Sequence, residues 1–181
     1  IEERTFSSLQ PYPIQPEPYT GEQVYDIILD RARKSLKPQT VQKSSLTYIA
    51  SKTKSPRLGI QWLKTAAQTA EKLITETQVQ RIEDKAQQEY INQLLDPFTE
   101  HHSLLFQAIQ ELAENTDSKI RTGDVYQSYQ EHCQSQEQDS LSNRRISDYL
   151  KHLELLDLIQ ADYHYGGSKG KTREISLREP E

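Results

Sequence analysis

The stretch from Ser140 to Leu177 constrains this chain most, because it joins a helical pattern directly to a hairpin pattern. In its first half Ile146, Tyr149, Leu150, Leu153 and Leu156 recur at three- and four-residue steps, so they share one helix face, and that face must be buried. Ser142 stands before the run as an N-cap, which puts Asn143, Arg144 and Arg145 in the first turn and leaves Arg144, Ser147, Asp148 and Lys151 pointing outward. Two arginines in a first turn oppose the helix dipole. Phosphate or a base edge is a physical reason to keep them there.

The second half reads as a β-hairpin, with Leu158 to Tyr163 on one arm and Thr172 to Leu177 on the other. Gly166, Gly167, Ser168, Lys169, Gly170 and Lys171 form its tip, which holds half of the chain's glycines. A core-facing helix followed at once by a two-stranded ribbon with a basic tip is the pattern of a winged helix. In that arrangement the helix enters the major groove and the ribbon tip lies along the backbone or minor groove. The alternative is an ordinary amphipathic helix beside a solvated hairpin.

A length of 181 residues with 34% hydrophobic content suits one domain or two small ones with modest cores. No run is apolar enough to span a bilayer and the amino end does not read as a signal peptide, so the expected location is the cytoplasm, associated with the nucleoid. Cys133 is alone and the five histidines are scattered, so no disulfide and no metal site are expected. The absence of methionine, even at position 1, suggests a piece of a longer protein. The net charge of -5 argues against indiscriminate nucleic-acid binding. From Asp96 onward there are 9 Lys and Arg against 16 Asp and Glu, a net of -7, yet no acidic residue falls between Tyr163 and Arg173. The positive charge is local, which implies a small footprint on DNA and weak non-specific affinity.

Residues 1–20 carry Pro11, Pro13, Pro16 and Pro18, which forbid a helix and favour an extended connector. Helices are predicted from Gly21 to about Lys37 and from Thr40 to about Lys52. A third starts at Pro56, after the cap Ser55, with Leu58, Trp62, Leu63, Ala66, Ala70 and Leu73 buried. Thr75 caps a fourth running through Val79, Ile82, Ala86, Tyr90 and Leu94. Asp96 and Pro97 break the pattern and mark the predicted domain boundary. Beyond it come a helix through Leu104, Leu105, Ala108, Ile109 and Leu112, a short strand at Ile120, and a helix capped by Thr122 with Val125, Tyr129 and Cys133 inward. His101 and His102 project in different directions and are expected to be exposed, and no catalytic residues are expected.

Taken together, RTFSSL at Arg4 to Leu9, PYTGEQVYDIILDRA at Pro18 to Ala32, SPRLGIQWLKTAAQTAE at Ser55 to Glu71, TGDVYQSYQEHC at Thr122 to Cys133 and RRISDYLKHLELLDLI with its glycine-rich hairpin resemble one family. It is the archaeal origin-recognition and replication-initiator AAA+ ATPases, relatives of the eukaryotic origin recognition complex and its helicase-loading partner. The resemblance covers nearly the whole chain, in order and spacing.

It implies a mainly α fold, in which residues 21–95 are the helical lid of an AAA+ module and residues 96–181 a winged-helix DNA-binding domain with a β-hairpin wing. Residues 1–20 would then end a base domain lying upstream. Arg57 matches the arginine that such lids direct at the terminal phosphate of ATP, and its place in a first turn, beside free amides, suits an anion. Arg4 would act on a neighbouring subunit's nucleotide. The sequence contains no GxxxxGK[ST] loop, so ATP or ADP with magnesium is implied only for the intact protein and no stable binding by this fragment is expected.

The first functional expectation is therefore a piece of a replication initiator that binds double-stranded origin DNA. Ser142, Asn143, Arg144, Arg145, Ser147 and Lys151 would meet the major groove, and Gly166, Gly167, Ser168, Lys169, Lys171 and Arg173 the phosphates or minor groove. A replicative helicase and other initiator subunits are the implied protein partners. Two alternatives stay open: a winged helix used for protein interaction through its acidic helices, and a transcription regulator with a helical dimerisation domain.

Overall fold

The computed structural model of the chain describes residues 17–116, 118–164 and 172–178. The first part is helical: α1 (Gly21–Ser35), α2 (Lys43–Lys52), α3 (Pro56–Thr69), α4 (Glu76–Arg81) and α5 (Glu83–Leu95). The second follows the order α6 (Glu100–Asn115), β1 (Ile120–Arg121), α7 (Thr122–Ser135), α8 (Asn143–Leu155), β2 (Ile159–His164) and β3 (Thr172–Leu177). The strands form one antiparallel sheet in the order β1-β3-β2, with Ile120 opposite Ile175 and Ala161 opposite Ile175 on the other side.

Each part encloses its own apolar core. Val24, Ile28, Leu46, Ile49, Trp62, Ala66, Val79 and Ala86 fill the first. The second gathers Leu104, Leu105, Ile109, Val125, Tyr129, Ile146, Leu150, Leu153, Leu158 and Ile175. Helix α5 serves both, because Tyr90 belongs to the first core, Ile91 and Leu95 belong to the second, and Leu94 packs against each.

Local signals explain most element starts. Thr20 and Gln23 form a reciprocal capping box on α1, and Thr75 and Gln78 form one on α4, so two orphan amides are satisfied at each start. Gly59 lets α3 cross α1 closely, since a Cβ there would lie 2.5 Å from Ile28 Cδ1 and 2.9 Å from Thr53 Oγ1.

Four expectations need correction. The helix predicted from Thr40 begins at Lys43, because Val41 is held in a parallel bridge to Ile74 and the Ile74 carbonyl accepts from Gln42 N–H at 3.1 Å. Leu73 is exposed, since α3 ends at Thr69 and the chain leaves it extended at Ala70. The helix predicted from Thr75 to Leu94 is interrupted at Ile82 (φ -101°, ψ 3°), which ends α4 and starts α5. The cap of α7 is Arg121 in place of Thr122, with the Asp124 carboxylate accepting from the Arg121 N–H at 2.9 Å.

Candidate nucleic-acid interface

Helix α8 presents two unlike faces. Ile146, Leu150 and Leu153 lie on the inner one and are at most 1% exposed. Ser142, the N-cap, makes no side-chain cap hydrogen bond, and it is exposed with Asn143, Arg144 and Arg145. Among the described residues neither arginine is tied into an ion pair. Ser147 is half-buried on the same outer side. Lys151 is exposed and donates to Asp148 Oδ1 at 2.9 Å. That hydrogen bond, with the charges of Lys151, Arg144 and His152, holds the Asp148 carboxyl below its ordinary range. An exposed pair of this kind is weak, so Lys151 remains available to a phosphate.

The turn before α8 is clasped by two tyrosines of α7. Tyr126 donates its hydroxyl to the Leu141 carbonyl at 3.2 Å, and the Leu141 N–H donates to the Tyr129 hydroxyl oxygen at 3.2 Å. Tyr129 also meets His101 Nδ1 at 2.8 Å, and burial raises its phenol well above the usual range, so it stays protonated. The position of Ser142 and the arginines is thus fixed by a buried scaffold.

The inner edge of α8 is fixed in a second way that sequence reasoning missed. His102, expected to be exposed, is only 3% so. Its ring stacks on Tyr149 with centroids 3.7 Å apart. Its Nδ1 lies 2.9 Å from Thr99 Oγ1, and its Nε2 lies 3.0 Å from Nδ1 of His152. Burial, then the nearby His152, lowers its pKa. The helical period puts His102 on the buried side, three residues before Leu105 and seven before Ile109, but no local spacing names its partners Tyr149 and His152 on α8.

The remaining candidates fall in different places. Arg173 is half-buried on β3 opposite Tyr163, and its carbonyl accepts from Thr122 Oγ1 at 3.5 Å. Arg57 is exposed in the first turn of α3 and lines a cavity of about 280 Å³ with Tyr90, Leu94, Leu155, Leu156 and Asp157, where the two cores meet. Leu155 is 82% exposed at the end of α8. Arg4, Gly166, Gly167, Ser168, Lys169 and Lys171 lie outside the described residues. Among the described residues no group of three or more His, Cys, Asp or Glu is placed to hold a metal, and no helix is long and apolar enough to cross a membrane.

Three helices, a three-stranded sheet and a hairpin following directly on the last helix define a winged helix domain. Residues 93–181 match the family described as "CDC6, C terminal winged helix domain". Nearly the whole chain is similar to archaeal ORC1-type DNA replication proteins. The protein so named from Pyrococcus abyssi is 29% identical over 185 residues, covering 98% of this chain and 44% of the relative. ORC1-type DNA replication protein 7 of Halobacterium salinarum is 28% identical over 188 residues, covering 99% and 36%. The structure of the Aeropyrum pernix ORC1 protein in complex with DNA superposes with a TM-score of 0.63 at 23% identity, over 99% of this chain and 49% of that one, which establishes a common fold. The chain spans less than half the length of the curated relatives it matches.

Proposed function

We propose that this chain is the lid and winged-helix part of a replication initiator, and that α8 reads duplex origin DNA. The observation that carries the reading is the pair Arg144 and Arg145, exposed and, among the described residues, outside any ion pair, on the outer side of a helix whose other side is locked in the core. Arginine is suited to this task because its planar fork can bind guanine O6 and N7, or a phosphate, through two hydrogen bonds. Ser142, Asn143, Ser147 and Lys151 extend the same surface, and the wing residues Gly166 to Arg173 would grip the adjoining backbone. The Aeropyrum pernix ORC1 structure, solved in complex with DNA, supports DNA as the partner.

On this reading residues 21–95 form the lid, residues 96–181 the DNA-binding domain and residues 1–20 the connector from a base domain. Arg57 would sense ATP or ADP with magnesium in the intact protein. This chain offers that ligand an exposed arginine beside a helix start, without a phosphate-cradling loop, so the rest of a nucleotide site has to come from elsewhere. Transfer of the nucleotide state to loading of a replicative helicase, in the cytoplasm at the nucleoid, completes the proposal.

The test is binding of origin duplex and scrambled duplex by the chain and by an Arg144→Ala/Arg145→Ala variant. Loss of each guanine contact is expected to cost about 1–3 kcal/mol of discrimination. Equal binding by both proteins would defeat the reading. A protein-interaction role has one observation in its favour, a cavity of about 400 Å³ lined by Glu111, Asp124 and Glu131. Capture of a helicase subunit without DNA affinity at low salt would decide for it.

A further inference from the structure

The contact between α6 and the DNA-facing helix runs through a chain of polar atoms, from exposed Thr99 through buried His102 to half-buried His152. Thr99, just before α6, meets His102 Nδ1, and His102 Nε2 meets His152 Nδ1 near the end of α8. Thr99 Oγ1 also lies 3.4 Å from the Tyr149 hydroxyl oxygen. Phe98 closes the group, with ring centroids 4.9 Å from His102 and 5.9 Å from His152. We propose that Thr99 and His102 are positioning residues for DNA binding, holding Tyr149 and His152 and so the outward face of α8, and that this hold fails when the histidine pair takes two protons. The inference rests on the reading that α8 binds DNA.

Proton counting gives the mechanism. With both rings neutral, the Thr99 hydroxyl donates to His102 Nδ1 and His102 Nε2–H donates to His152 Nδ1. One added proton is accommodated by reversal. His152 Nδ1–H then donates to His102 Nε2, His102 Nδ1–H donates to Thr99, and the Thr99 hydroxyl turns to Tyr149. Each contact still holds one hydrogen. His102, which burial and the nearby His152 disfavour as a cation, is the ring that stays neutral. A second proton puts two N–H groups face to face at the 3.0 Å contact, with two like charges in a partly buried site. The contact must open.

The surroundings relieve this state only in part, because a backbone hydrogen bond of Thr99 favours the protonated His102 ring and is outweighed by burial and the neighbouring His152. From α6 the titratable neighbour is His101, itself engaged with Tyr129. From α8 the neighbours are Tyr149, stacked on His102, and Asp148, whose carboxylate is engaged by Lys151. The turn before α6 contributes Phe98 and Thr99, which carry no charge.

The test is anisotropy of a fluorescein-labelled mixed-sequence duplex with the full chain, at constant salt, between about pH 8 and about pH 5. Wild type is expected to hold its affinity until His102 protonates and then to lose up to about tenfold per pH unit, the limit for one linked proton. His102→Gln keeps an amide donor toward His152 and has no proton to gain. Its affinity, taken relative to its own value at neutral pH, should lack the acid loss. The same acid loss in His102→Gln would overturn the proposal. Absence of binding by wild type at neutral pH would instead defeat the DNA reading. Without DNA, histidine ring NMR of the wild-type chain gives an independent answer. One ring titrating well below the other supports the pair, and two rings titrating independently near 6.5, the ordinary histidine value, would overturn it.

Discussion

Asp148 shows how a single residue tempers the DNA-facing helix. It stands among Arg144, Ser147 and Lys151, holds the Lys151 ammonium at 2.9 Å, and presents a negative charge to any approaching phosphate. Asp148→Asn removes that repulsion and releases Lys151. Duplex affinity at low salt should rise a few-fold, with a smaller gain at high salt, as read by anisotropy titration. His102 makes a prediction of its own about stability. Its pKa in the fold is lowered, so the unfolded chain binds more protons in the interval between the two values. Its stabilising effect is complete above the ordinary histidine value of 6.5 and is lost as pH falls from there through the lowered value. Thermal melts of wild type should show this loss, and His102→Gln should flatten it. The outward arginines were legible in the sequence because a helical period assigns them a side. The histidine contact was not, since it depends on how two helices distant in sequence are stacked.

Among the elements, α8 owes its position to α7. The Tyr129 hydroxyl receives the Leu141 N–H and engages His101, so Tyr129→Phe leaves two polar groups short of a partner. A loss of about 1–3 kcal/mol in urea unfolding is expected, against a few tenths for a change on the exposed face. Gly59 makes the parallel case for α3. Alanine there gains about 1 kcal/mol of helix propensity but forces Ile28 and Thr53 apart in a filled core, at about 1–3 kcal/mol, so Gly59→Ala should be destabilising on balance. The start of α4 and the cores of α1, α7 and α8 could be read from caps and spacing. The break at Ile82 could not, because Val79, Ile82 and Ala86 keep the helical period on both sides of it.

On the scale of the molecule, the two cores meet along α5. Ile91 and Leu95 are 6% and 5% exposed and belong to the second core, although they precede the break at Asp96. A fragment of residues 96–181 should therefore be less stable than one of residues 83–181 by several kcal/mol, at about 1.5–3 kcal/mol for each large apolar side chain lost. Chemical denaturation of the two fragments checks this. Equal stability would place the end of α5 with the first core alone. The family match, which begins at residue 93, agrees with a winged helix that uses the end of this helix.

By itself the sequence determined most of the helices, the two hairpin arms, the inward residues of α8 and the side on which Arg144 and Arg145 stand. Each of these follows from local spacing, capping and charge, within one or two turns of chain. Only the tertiary structure decided that α5 is shared between two cores, that Arg57 lines the cavity where they meet, and that a histidine pair ties α6 to α8. Those facts rest on contacts between residues far apart in the chain, and no period or cap records them.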